Sequence, residues 1–448
     1  MEGAAAQEDD SEYWKIKASA CSKVLLTGAY LIIDPKYKGL VLATDARFHT
    51  STLLKNNDSK NLIIQVTSKQ FGLKKIFEVK FHKGGKYTVH GMENKGGFIE
   101  KCVYFLATIM ATQEVLESMS GCTLQIDLAG DNSFYSQRDQ FDSPSFTYEN
   151  LAKQSPLSVP SDPSKKTGLG SSAALIVSFI ASSFSIAGIL ARGNMKAIHI
   201  YAQILNAFVQ EKVGSGFDIA CSVYGSQIYS RFRNVKELTE LVSWFQEGIK
   251  SGEVHPGNDT LFDFFDTFDW ELQSFTKVPK DLGLCLIDVN SGSDTKLMVK
   301  KVLDWAKANQ SKEDDMFSND ICSKLNANYD KLASSLAQDM PNQETIQSLC
   351  LEIRSLIQTL SQQTEVPIEP PSSTLLLDSI LKNLDYTYYA AVPGAGGNDA
   401  IFVIGKGDKL HENIQRDICN KYQNEEGSRI AVLPVKVLRE KEPALIIQ

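Results

Sequence analysis

Lys165-Lys166-Thr167-Gly168-Leu169-Gly170-Ser171-Ser172-Ala173-Ala174 opens the one stretch long enough to raise a membrane question, residues 169–191, which carries no charge but holds six serines. The serines and the Gly-rich turn before it favour a buried helix over a membrane span. Two glycines let backbone N–H groups converge on one point, and the helix behind them presents unpaired donors and the positive end of its dipole. The preceding lysines add charge. Such a segment holds an anion, or it is a glycine turn closed by a serine N-cap; its residues alone leave both readings open.

The surroundings narrow the choice. No G-x-x-x-x-G-K-[ST] occurs anywhere. Gly168-x-Gly170-x-x-Ala173 fits the relaxed dinucleotide fingerprint, but it follows a polar loop (130–167) carrying Pro156, Pro160 and Pro163. No Asp or Glu lies between 174 and 210 to take a ribose hydroxyl. A dinucleotide fold is therefore a poor fit. With 46 Lys+Arg against 54 Asp+Glu in 448 residues, the net charge of −8 argues against nucleic-acid binding. Eight scattered cysteines without a C-x-x-C pair suit reduced thiols. The acidic start (1–14) lacks a signal's basic and apolar regions, and ALIIQ at the end is no organelle address, so the expected location is cytoplasmic.

Working outward, residues 23–33 and 39–42 read as a hairpin joined by the turn-rich 34–38. Strands are expected over 61–66, 74–81 and 122–128, with a helix over 97–119. Residues 224–233 read as a strand, whereas 234–280 offers few strand signals. A strand over 283–289, a helix over 296–308, helical patterns to 360, a Pro-rich break at 366–371 and apolar runs over 386–392 and 400–404 complete the order. This predicts two α+β domains, 1–235 (with 1–14 an acidic tail) and 236–448. No fixed-period repeat is present.

The string GLGSSAA opening a long helix resembles the ATP loop of the kinase superfamily named for galactokinase, homoserine kinase, mevalonate kinase and phosphomevalonate kinase. Lys23-Val24-Leu25-Leu26-Thr27-Gly28-Ala29-Tyr30 resembles its first motif, and Val392-Pro393-Gly394-Ala395-Gly396-Gly397-Asn398-Asp399-Ala400 its third. Taken alone, the first would be a lysine at a strand edge and the third a tight turn. Lys212-Val213-Gly214-Ser215-Gly216-Phe217-Asp218 is similar to the catalytic-aspartate segment in its phosphomevalonate kinase version; alone, Asp218 would be a helix cap. Residues 130–137, 291–299 and 366–371 also resemble the eukaryotic phosphomevalonate kinases. Ala29 replaces a usual glycine, and Asn206, Glu211 and Asn398 depart from the family pattern, leaving a metal role for Glu211 doubtful.

The resemblance implies an α+β two-domain kinase, with a ribosomal-protein-S5-like N-terminal domain that binds ATP and a ferredoxin-like C-terminal domain. It implies ATP and Mg²⁺ as cofactors, 5-phosphomevalonate as the small-molecule acceptor, no nucleic acid or membrane partner, and a monomer or homodimer. Lys23 would bridge acceptor and γ-phosphoryl. Gly168, Leu169, Gly170, Ser171, Ser172 and Ala173 would wrap the ATP phosphates, with Lys166 adding charge, Ser172 on Mg²⁺ and Asn132 on the adenine side. Asp218 would orient Lys23 rather than act as a base, because a phosphomonoester with a pKa near ~6 is already largely dianionic at pH 7. Ser293 and Lys296 are substrate-binding candidates against ordinary helix capping, and Gly394, Gly396 and Gly397 line the substrate side. A mevalonate kinase, and a catalytically silent metabolite sensor, are the alternatives.

Overall fold

A computed structural model describes residues 14–83, 85–142, 145–155, 157, 161–191, 193–257, 259–275, 278–279, 281–289, 295–383, 385–397, 400–422, 429–439 and 441–448. The first strands are β1 (Trp14–Leu25), β2 (Lys38–Asn56), β3 (Leu62–Ser68), β4 (Leu73–His82), β5 (Lys86–His90), β6 (Cys122–Gly130), β7 (Gln227–Ser230) and β8 (Glu253–Val254). Four more, β9 (Leu282–Asp288), β10 (Thr387–Ala391), β11 (Ala400–Lys406) and β12 (Ala431–Leu433), form an antiparallel sheet in the order β10-β11-β9-β12, while β13 (Leu445–Ile447) returns to pair with β1. Among the described residues the first sheet has nine strands, in the order β13-β1-β2-β6-β3-β4-β5-β8 with β7 attached to β2. Its pairings are antiparallel except β3 with β6.

The helices are α1 (Phe98–Thr112), α2 (Tyr148–Lys153), α3 (Ser171–Ile186), α4 (Met195–Gln210), α5 (Phe217–Tyr224), α6 (Val235–Ser251), α7 (Asp259–Thr267), α8 (Thr295–Ala308), α9 (Asp320–Leu336), α10 (Gln343–Thr364), α11 (Pro371–Asn383) and α12 (Leu410–Ile414). The uncharged stretch after the glycine turn becomes α3, which lies across β1 and β2 and is buried nearly all round. Two of its serines are satisfied against the sheet: Ser178 Oγ meets Thr50 Oγ1 at 2.8 Å, and Ser182 Oγ donates to the Ile16 carbonyl at 2.9 Å. That explains a polar count too high for lipid. No helix of the described residues is long and apolar enough to cross a membrane.

The expected hairpin exists, with Leu25 opposite Val41, but its first strand starts earlier and stops at Leu25. Residues 31–33 form a 3₁₀ turn whose Leu31 and Ile32 plug the core. The expected strand over 224–233 shrinks to β7, and 217–224 is helical. Past residue 235, where the sequence suggested a division, the chain stays with the first layer. There α6 packs on α4 and β8 pairs with β5, and the second sheet begins at Leu282.

Candidate active site

Among the described residues, four helices are closed at their start by a side chain: Thr147 on α2, Asn194 on α4, Asn319 on α9 and Asn342 on α10. Helices α3 and α5 are not. Each begins at a left-handed glycine, Gly170 and Gly216, both at φ 81°, with no side-chain cap. In α3 the Ala173 amide turns back to the Gly170 carbonyl at 3.1 Å, which leaves the amides of Ser171 and Ser172 as the uncapped donors at the helix start. The serine-cap alternative for the glycine turn thus fails, and these donors remain for an anion.

Lys23, near the end of β1, stands between these two helix starts. Its amide donates to the Leu169 carbonyl at 3.1 Å and its Nζ to the Gly168 carbonyl at 2.8 Å. A Cβ on Gly170 would come within 2.9 Å of Lys23 Cε, so the bare backbone there makes room for the lysine stem. The ammonium also lies 5.5 Å from the Phe217 ring centroid. Asp218 follows in the first turn of α5, half-buried, its Oδ1 accepting from the Ile219 amide at 3.0 Å. Ser222 ties α5 to β1 by donating to the Cys21 carbonyl at 2.8 Å. Burial pushes the Cys221 thiol well up, with Cys21 adding to the rise; Lys23 draws it down and Asp218 raises it, since both charges lie near this thiol.

Lys166 Nζ donates to Ser172 Oγ at 2.8 Å, and desolvation lowers the pKa of that ammonium. Thr167, which sequence reasoning missed, is buried and fixes the loop: its Oγ1 donates to the Ser133 carbonyl at 2.6 Å and its amide to that of Phe134 at 3.1 Å. Nothing in a polar loop flags such a residue. Asn132 is buried on the same support, Nδ2 donating to the Ser155 carbonyl at 2.8 Å, while its Oδ1 has no partner.

The third motif meets the first through Tyr30, whose hydroxyl donates to the Ala395 carbonyl at 2.6 Å. Gly396 turns at φ 80° with the Ile368 carbonyl so close that a Cβ would overlap it, and the Gly397 amide donates to that carbonyl at 2.9 Å. Gly394 lines a small cavity with Leu25, Leu26 and Ala29. Ser293, Asn398 and Asp399 lie outside the described residues, as does the Lys296 side chain, whose backbone is in the first turn of α8. Glu211 closes α4 at φ 57° and accepts from Lys101 Nζ at 2.6 Å, so it is engaged with α1. Among the described residues no group of three or more His, Cys, Asp or Glu side chains is gathered for a metal.

A further support lies behind Gly216. Gln203 Nε2 donates to the Gly216 carbonyl at 2.9 Å and to His199 Nε2 at 3.0 Å. His199 is enclosed by Tyr224, Phe268 and Trp270, and burial pushes its pKa down to about 3. The i, i+4 spacing puts His199 and Gln203 on one face of α4, but only the fold brings Gly216 to them.

Comparisons with known proteins bear on the family and the fold. The family model for the GHMP kinases N-terminal domain matches residues 145–226. The peroxisomal phosphomevalonate kinase of Arabidopsis thaliana is 30% identical, the match covering 88% of this chain and 90% of that one. The phosphomevalonate kinase of Aspergillus fumigatus is 31% identical, covering 86% of each. Among solved structures, Streptococcus pneumoniae phosphomevalonate kinase in complex with phosphomevalonate and AMPPNP superposes with a TM-score of 0.60 at 14% identity. That likeness spans 94% of this chain and 99% of that one, and it bears on the fold.

Proposed function

The chain belongs to the phosphomevalonate kinase family, and on that premise we propose how its residues divide the work. The reaction moves the γ-phosphoryl group of ATP to 5-phosphomevalonate: the bond from the γ-phosphorus to the β,γ-bridging oxygen breaks, a bond to an acceptor phosphate oxygen forms, and ADP leaves. The acceptor is largely dianionic at neutral pH, so no proton has to be removed. What the enzyme must supply is alignment of two anions and neutralisation of the charge spread over the transferring group.

Lys23 is assigned to bridge the acceptor and the γ-phosphoryl group. The observation that carries this is its Nζ held 2.8 Å from the Gly168 carbonyl, at the uncapped start of α3 and 145 residues away in sequence. Gly168 to Ala173 wrap the ATP phosphates, with the uncapped start of α3 supplying N–H donors, and Lys166 adds charge beside them. Asp218 orients Lys23 from the start of α5. Asn132 takes an N–H of the adenine at its unpartnered buried oxygen. The glycines at 394, 396 and 397, with Ser293 and Lys296, are assigned to the acceptor.

The Ser172 hydroxyl at the open helix end is a hard oxygen donor of the kind Mg²⁺ accepts, with nucleotide oxygens and water completing its shell; Lys166 would release it on loading. Held there, the ion would supply positive charge to the nucleotide's phosphates. Eight free cysteines, seven of them buried, support a reducing compartment and a cytoplasmic location.

ADP release with Mg-ATP and, separately, 5-phosphomevalonate, mevalonate, galactose and homoserine tests the assignment. Selective turnover of 5-phosphomevalonate is expected, with kcat at least ~10²-fold lower in Lys23→Met, the scale of losing one transition-state donor. Preferred turnover of mevalonate would overturn the acceptor, and an active Lys23→Met enzyme the role of the lysine.

A further inference from the structure

The reverse face of the first sheet carries a cleft lined by none of the residues assigned above to the kinase reaction. Along β2, Thr50 and Thr52 point to α3, where they meet Ser178 and Ser183, so His49 and Ser51 point the other way. With the outward residues of β1, β3, β6 and β13 they wall a cavity of about 580 Å³, within the range of roughly 300–1,000 Å³ typical of small-molecule sites. Ala129 and Ile446 give it an apolar floor. Lys17 and Lys69 stand exposed on its rim, and neither ammonium has a partner among the described residues. The acid in the wall, Asp127, already accepts from the Thr67 hydroxyl, and the Arg47 guanidinium is spent on Ser19 and the carbonyls of Pro443 and Ala444.

One wall of this cleft is joined to the phosphate loop. Asp131 accepts from the Arg47 amide at 2.7 Å and pairs with His49 Nε2 at 3.2 Å. Two and three residues further on, the carbonyls of Ser133 and Phe134 hold Thr167, directly before Gly168. An anion held in the cleft would face His49, the partner of Asp131.

We propose that this cleft is a second small-molecule site, taking an amphipathic anion with an apolar body and a phosphate or carboxylate head, and that its occupant alters ATP binding through Asp131. Calorimetry on the full chain with octyl phosphate, octanoate and 1-octanol tests it. Saturable one-to-one binding of at least one anion is expected, the two arms telling phosphate from carboxylate, with 1-octanol at least ~10-fold weaker. Lys17→Glu with Lys69→Glu, both exposed and neither assigned a role in the kinase reaction, should abolish that binding while leaving the KM for ATP as it was. The bound anion should shift the KM for ATP at least ~5-fold in the unmodified chain, and not in the double variant. No saturable binding, equal binding of 1-octanol, or binding indifferent to the double variant would overturn the site; binding with an unchanged KM would overturn the coupling. Because calorimetry needs no turnover, failure here is distinct from failure of the kinase assignment.

Discussion

Replacing Gly170 by alanine forces a Cβ to within 2.9 Å of Lys23 Cε at a left-handed φ of 81°. Left-handed backbone alone costs a non-glycine residue roughly 1–2 kcal/mol, and the lysine must swing away as well. We expect Gly170→Ala to remain folded, about that much less stable by denaturant titration, with kcat reduced more than the KM for ATP. Lys166 is tested by pH. Although the Lys166 side chain is exposed, protein packed around its ammonium partly desolvates it, so its proton leaves somewhat below the ordinary lysine value of 10.5. The charge is present below that lowered pKa and lost above it. Accordingly kcat/KM for ATP should fall with rising pH before pH 10.5, and Lys166→Met should show a lower value without that limb.

At the scale of elements, α5 delivers Asp218 because Gly216, the residue from which it starts, is held from behind by Gln203 and a neutral His199. The histidine stays unprotonated in the fold down to about pH 3, against 6.5 in a free chain. Below pH 6.5 the unfolded state therefore binds the proton first, and stability falls as acid is added. The loss is roughly 2 kcal/mol between pH 6.5 and 5, at about 1.4 kcal/mol per pKa unit. Urea titrations should show His199→Phe less stable than the parent at pH 7 and the gap closing by about that amount at pH 5; a constant gap would remove His199 as the cause. Such a support was hidden from sequence reading, as were the true limits of the first strand. Residues 31–33 form an apolar run because they fill the core, and an apolar run alone does not separate a plug from a strand. By contrast β3, β4, β6 and β9 were legible because their alternation or apolar runs ended in turn residues, and the glycine turn was legible because an uncharged helix follows it at once.

At the scale of the whole molecule, the loop after β6 joins the two sheets. Arg138 Nη2 donates to Asp288 Oδ1 at 3.1 Å, and Ser136 Oγ to Asp288 Oδ2 at 2.5 Å, at the end of β9; both charged side chains are buried. Burial lowers the Arg138 pKa and Asp288 restores part of it. The same loop region reaches the second sheet again where the Tyr148 amide and the Val432 amide share Gln415 Oε1, each at 3.0 Å. Since the loop also carries the carbonyls that hold Thr167, the position of the second sheet and that of the phosphate loop are set by one segment. Asp288→Asn leaves a buried guanidinium without its counter-charge, so a loss of about 3–5 kcal/mol is expected. Replacing both partners with apolar residues, Arg138→Met with Asp288→Leu, removes that penalty, and most of the stability should return. The KM for ATP should not return with it, because the apolar pair no longer fixes where Ser136 and its neighbours sit. Recovery of stability and KM together would mean that the ion pair holds the fold but does not register the phosphate loop against the second sheet.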